Sequence, residues 1–215
     1  ITIKVSKPQL TDEFKLRQNL SETECYVGQP LVFSVVWYVN RDIEGFQFLL
    51  PVLEDQRFET VDFPADKNYS GQDAIAINLH GSNVIARKGK TGQHTTVTLR
   101  RILIPREPGV YSLEPASVSS RVVTGYQQQR GGQPFNNRFF DDMFGRRQPI
   151  YNQLLTESNP LQLNVQPLPD ENRPQDFTGL VGQYSLAAQA SPTEVNVGDP
   201  ITFNIMVTGS EYLDN

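Results

Sequence analysis

Few residues in this 215-residue chain have the types and spacing for chemistry. There are two histidines, His80 and His94, and one cysteine, Cys25. Nucleophilic catalysis needs a nucleophile, a base and a group that orients the base. Cys25 has no basic neighbour in sequence to activate its thiol, and no Gly-x-Ser-x-Gly occurs. Both histidines fall at expected turns or strand ends, with no Cys or second His at ligand spacing. Gly89-Lys90-Thr91 looks like the end of a phosphate-binding loop, but Val84 stands where the loop needs its first glycine. That segment also lies between strands, without a helix N-terminus to hold a phosphate. The adjacent acids Glu54-Asp55 and Asp141-Asp142 lack the spaced acidic pattern of a calcium loop. Asn19-Leu20-Ser21 and Asn68-Tyr69-Ser70 match the glycosylation sequon, a pattern that arises readily by chance. No catalytic residue, cofactor or metal is expected, and the chain reads as non-enzymatic.

One cluster stands out. Arg138, Phe139, Phe140, Met143, Phe144, Arg146 and Arg147 lie in a Gly-, Gln- and Arg-rich stretch at about 125–150. One or two helical turns over 137–144 would put Phe140, Met143 and Phe144 on one face. Basic residues among aromatics can bind single-stranded nucleic acid. A net charge of −5 and a pI near 5.1 argue against a polyanion. Phe, Met and Arg are enriched at protein interfaces, so this insertion is the expected partner-docking element. The alternative is that its phenylalanines pack back on their own domain.

The elements that must position any such site are set by a repeat. Glu24 to Val39 is rewritten 170 residues later (194 minus 24) as Glu194 to Val207. Glu24/Glu194, Val27/Val197, Gly28/Gly198, Pro30/Pro200 and Phe33/Phe203 are identical. A repeat shows that one structural unit was copied. Val-Gly-x-Pro is a turn, with Gly supplying positive φ and Pro fixing its own. After it, Leu31, Phe33, Val35, Trp37 and Val39 alternate with more polar residues, the period of a strand with one buried face. Ile201, Phe203, Ile205 and Val207 alternate in the same way. Cys25, alone and therefore without an intrachain disulfide, reads as a small buried residue at a strand start.

Fifteen Gly, fifteen Pro, twelve Phe and eight Tyr suit many short strands joined by turns. Expected strands include 1–5, 14–16, 46–51, 58–61, 74–79, 83–87, 95–104 and 161–165. The segment 63–73 is expected to be a loop, and Lys88-Gly89-Lys90-Thr91-Gly92 a hairpin tip. Pro108-Gly109 should turn the chain and present Tyr111 to a sheet, with Leu113, Ala116, Val118, Val122 and Val123 continuing the β pattern. The fold class expected is all-β: an immunoglobulin-like sandwich over 1–166, a Pro-rich linker over 167–178, and the opening strands of a second similar domain over 179–215. No run of about 18 apolar residues and no signal peptide is present, and the chain is expected to be a fragment.

Two stretches then carry a resemblance. Ile104-Pro105-Arg106-Glu107-Pro108-Gly109-Val110-Tyr111-Ser112-Leu113-Glu114-Pro115-Ala116 resembles the P-x-x-P-G-x-Y-x-[IL]-x-P segment of the BatD-like oxygen-tolerance (aerotolerance) family. Leu168 to Leu186, through Arg173-Pro174-Gln175-Asp176-Phe177, is similar to that family's linker into a second domain opening with Val-Gly-Asp-Pro. The resemblance implies tandem immunoglobulin-like domains outside the cytoplasm (periplasmic in an envelope with two membranes) and a membrane anchor. It also implies von Willebrand A-type proteins and a MoxR-type ATPase as neighbours, in support of oxidative-stress tolerance. It carries no catalytic residue, because Glu24, Val27, Gly28, Pro30, Pro108, Gly109, Tyr111, Gly198 and Pro200 are turn and strand residues. The rival expectation is a surface carbohydrate-binding or adhesive sandwich, which would expose Trp and Tyr on one sheet face, whereas Trp37 is expected to be buried.

Overall fold

The computed structural model describes residues 9–10, 14–64, 71–79, 81–128, 147–177 and 179–209. The chain is all-β and sandwich-like. Its first layer is built on β4 (Leu31–Val39), whose side chains alternate strictly between buried and half-buried. β4 pairs antiparallel on one side with β2 (Lys15–Leu20) and on the other with β9 (His94–Pro105). The outer edge of β9 is shared. Its first half pairs with β8 (Ser82–Thr91), which pairs with β7 (Ala74–Leu79), and its last five residues pair with β6 (Phe58–Asp62). The facing sheet has the order β1 (Gln9–Leu10), β12 (Arg147–Glu157), β11 (Ser117–Gln128), β5 (Ile43–Leu49). A third sheet, β10 (Gly109–Leu113), β13 (Leu161–Gln166), β3 (Glu24–Tyr26), closes one end, and β14 (Tyr184–Ser191) pairs with β15 (Thr202–Gly209) as a hairpin.

The alternation of β4 explains the core. Phe33, Val35 and Trp37 point between the layers and are at most 1% exposed. The Trp37 ring meets Phe14 at 5.8 Å, Phe46 at 5.2 Å and Phe48 at 5.9 Å between centroids, mostly edge to face. Phe46 and Phe48 come from β5 and face Ser120 and Val118 of β11. One aromatic cluster thus joins both sheets. Burying each such side chain contributes about 1.5–3 kcal/mol.

Most expected strands are present, with shifted ends. β5 starts at Ile43 and stops before Pro51, which opens a short 3-10 turn over Pro51–Glu54 because proline has no N–H to give a ladder. The Lys88–Gly92 tip is tighter than expected: the strands run on through Lys90↔Thr95 and Thr91↔His94, leaving Gly92 at φ +59° with Gln93 as the turn. The 125–150 insertion is also narrower, since β11 and β12 continue as a ribbon through Tyr126↔Pro149 to Gln128↔Arg147. β12 itself has no counterpart among the expected strands. The strand expected over 1–5 lies outside the described residues, as do most of the loop expected over 63–73 and the helical turns over 137–144.

Candidate functional site

Of the expected docking cluster, Arg138, Phe139, Phe140, Met143, Phe144 and Arg146 lie outside the described residues. Arg147 is described through its backbone, which opens β12 opposite Gln128. His80 lies outside as well. His94 is exposed at the start of β9 with its ring edge-on to Tyr38, 6.4 Å between centroids. Cys25 is buried in β3, and burial, with the Glu22 carboxylate adding to it, pushes its thiol up to about 11. A thiol held protonated is a poor nucleophile. Asp55 holds Arg57 through a bidentate contact (Nε to Oδ1 2.9 Å, Nη2 to Oδ2 2.5 Å), and that bond lowers the Asp55 pKa. The pair is a brace, because the Arg57 guanidinium also lies 4.6 Å from the Tyr111 ring. Among the described residues no three His, Cys, Asp or Glu side chains are grouped to hold a metal, and no helix is long and apolar enough to cross a membrane.

The motif residues form two devices. In the first, the Gly28 N–H donates to Pro105 O (2.9 Å) and the Val27 N–H to Gln166 O (3.0 Å), tying the turn to β9 and β13. Glu24 sits on β3 opposite Asn164, and Pro30 leads into β4. Gly28 has φ +79°, and Val181 is buried against it, with Cγ2 3.5 Å from where a Cβ would stand. In the second, Tyr111 O–H donates to Glu107 O at 2.6 Å, clasping the turn through Pro108 and Gly109. Gly109 takes φ +155°, a conformation side-chain-bearing residues rarely adopt, and a Cβ there would only touch the Tyr111 ring at 3.4 Å.

The repeat is reproduced in three dimensions. The Gln29 N–H donates to Tyr26 O at 3.1 Å, and the Tyr26 N–H to the Gln29 side chain at 3.0 Å. The second copy repeats both bonds: Asp199 N–H to Asn196 O at 3.0 Å, and Asn196 N–H to Asp199 Oδ2 at 2.9 Å, with Gly198 at φ +100° ahead of Pro200. The register is shared too. Leu16 faces Trp37 across β2 and β4, and Leu186 faces Val207 across β14 and β15, both pairs 170 apart (186 minus 16, 207 minus 37). So the copy begins at β2 and β14, upstream of the Glu24/Glu194 identity, and Leu16/Leu186 was the sequence signal for it.

Surroundings separate the two copies. The face made by Leu16, Phe33, Val35 and Trp37 is buried, while its counterpart Leu186, Phe203, Ile205 and Val207 is 39–70% exposed. On the facing sheet, Tyr151 and Tyr126 are exposed, and Tyr151 O–H donates to Glu44 Oε1 at 2.6 Å. Trp37, at 0% exposure, is in the core.

Comparison with known proteins decides nothing further. No family model, no curated protein and no solved structure matches the chain.

Proposed function

We propose that this chain is a non-enzymatic scaffold and protein-interaction module of a BatD-like cell-envelope protein, acting on the extracytoplasmic side of a membrane. In this reading it supports a complex with von Willebrand A-type proteins and a MoxR-type ATPase, and its sandwich is of the immunoglobulin-like class. The observation that carries the reading is the repeat: a second Val-Gly-x-Pro turn and a second hairpin in the same register, a tandem of two like units. The Tyr111 bond to the backbone four residues upstream supports the immunoglobulin-like class, where a tyrosine corner has that form. The motif residues act as clasps, in keeping with a family whose marks are turns. The burial of Trp37 removes one platform that the carbohydrate-binding reading needed.

The test uses the ribbon geometry. Because Gln128 and Arg147 are paired, residues 129–146 can be replaced by a two-residue Asn-Gly turn without changing register. The intact chain should capture the A-type protein from envelope extracts of its source cells, and the shortened chain should lose it while melting at the same temperature. Retention by the shortened chain moves the docking element away from 129–146. Capture of neither protein by the intact chain overturns the reading.

A further inference from the structure

Residues 167–178 are rich in proline and charge, a composition that makes an extended spacer. The structure folds them instead. The Arg173 N–H donates to Asp170 O at 3.4 Å and the Phe177 N–H to Pro174 O at 3.3 Å, two turns in succession, with Asn172 at φ +61° in the first. The Arg173 guanidinium lies 5.2 Å from the Phe177 ring and links the two.

Both ends of this segment meet the first Val-Gly-x-Pro turn. Where it leaves β13, Gln166 O accepts the Val27 N–H. Where it returns stands Val181, with Cγ2 3.5 Å from where a Cβ on Gly28 would stand. Fifteen residues on (181 minus 166), the chain is back at the neighbouring position of the same turn. Among the described residues of 167–209, Val181 is the one buried side chain, at 9% exposure, while Leu180 beside it is 64% exposed. Leu168, Phe177 and Leu180 join it around a hollow of about 520 Å³, whose other wall is Tyr26, Gln29 and Gln166. A loop of this length with its ends together, lined by its own side chains, is an Ω-loop.

The seat of Val181 also places the second copy. Tyr184 opens β14 three residues later (184 minus 181), a reach of at most about 11 Å. Its half-buried ring lies over Gly209 at the end of β15, where a Cβ would collide with it. The base of that hairpin and the Glu22, Gln29 and Pro30 side of the first turn line one hollow of about 590 Å³.

We propose that 167–183 is a strap, an Ω-shaped loop that latches through Val181 on the Gly28 turn and makes a joint between the two copies of the unit. Latched, it holds the start of β14 beside the turn that opens β4. The latch is a single apolar side chain on bare glycine backbone, so it opens without unfolding either copy. This goes beyond the scaffold reading above and holds whatever the partner, because it concerns how the copies are joined.

The experiment puts a thiol at the latch. Val181→Cys and Leu180→Cys chains are labelled with a disulfide reagent at pH 8 and read by peptide mass, so that Cys25 is counted apart. Leu180→Cys should react as a free thiol does, and Val181→Cys at least tenfold more slowly. Amide nitrogen relaxation of the parent should give 184–209 the same rotational correlation time as the first sandwich. Val181→Ser should separate the two and Val181→Ile should not, both with the Trp37 melting curve of the parent. A difference of less than tenfold between the two thiols overturns the proposal. Independent tumbling of 184–209 in the parent, or one shared correlation time in Val181→Ser, overturns it as well.

Discussion

The contact that closes the β2 edge is the sharpest place to test the physical account. Asn159, in the turn between β12 and β13, pairs its side-chain amide with the backbone of Gln18 as a strand would. The Gln18 N–H donates to Oδ1 (3.3 Å) and Nδ2 donates to Gln18 O (3.1 Å). The Gln18 side chain, 3% exposed, returns the contact by donating from Nε2 to Asn159 O (2.8 Å) and to Glu114 O (3.1 Å). Asn159→Ala removes the first two bonds and leaves a part-buried N–H and C=O without partners. Each lost bond costs about 0.5–1.5 kcal/mol net, so the pair is worth about 2 kcal/mol. In a domain of this size that lowers the melting temperature by roughly 4–8 °C. Asn159→Asp can still accept from the Gln18 N–H but sets a carboxylate against Gln18 O, so it should recover little. Gln18→Ala should cost a similar amount, and the double variant should cost less than the sum because the residues share partners. The assay is urea unfolding followed by Trp37 fluorescence and circular dichroism. A loss under about 0.5 kcal/mol for Asn159→Ala, or full additivity in the double variant, would refute the reasoning.

Three further outcomes follow from single groups. Tyr111→Phe loses the O–H donated to Glu107 O and should cost about 1 kcal/mol in urea unfolding; no change would mean the clasp is decorative. Because the folded-state Cys25 thiol is raised from 9.0 to about 11, native protein should resist a disulfide reagent at pH 8 and react at once in denaturant. Below pH 9 both states keep the proton; between 9 and 11 the unfolded state loses it first, so stability should fall across that window in a pH series of melts and Cys25→Ser should flatten the fall. Trp37, fully buried among Phe14, Phe46 and Phe48, should emit in the blue and ignore both acrylamide and envelope polysaccharide; polysaccharide-dependent emission would favour the carbohydrate-binding rival.

What could be read from the chain alone follows a physical divide. The Leu31–Val39 strand was legible because burial on one face imposes period 2, and the Gly28 and Gly198 turns because positive φ selects glycine. Tyr111 was placed against the sheet by the Pro108-Gly109 turn before it. β12 was hidden because its polar residues, Asn152 and Gln153, sit beside Pro149 in a low-complexity stretch, although Leu154 and Thr156 alternate inward. Contacts set by topology left no local trace. Gln18 and Asn159 are 141 residues apart.

The most direct measurement is titration of the purified chain with a von Willebrand A-type domain from the same source, the partner class proposed above, read by calorimetry. Saturable one-to-one binding, weakened when 129–146 is replaced, is the result the account predicts. Absence of binding to that domain and to the ATPase, with retention of envelope polysaccharide by the folded chain, would contradict it.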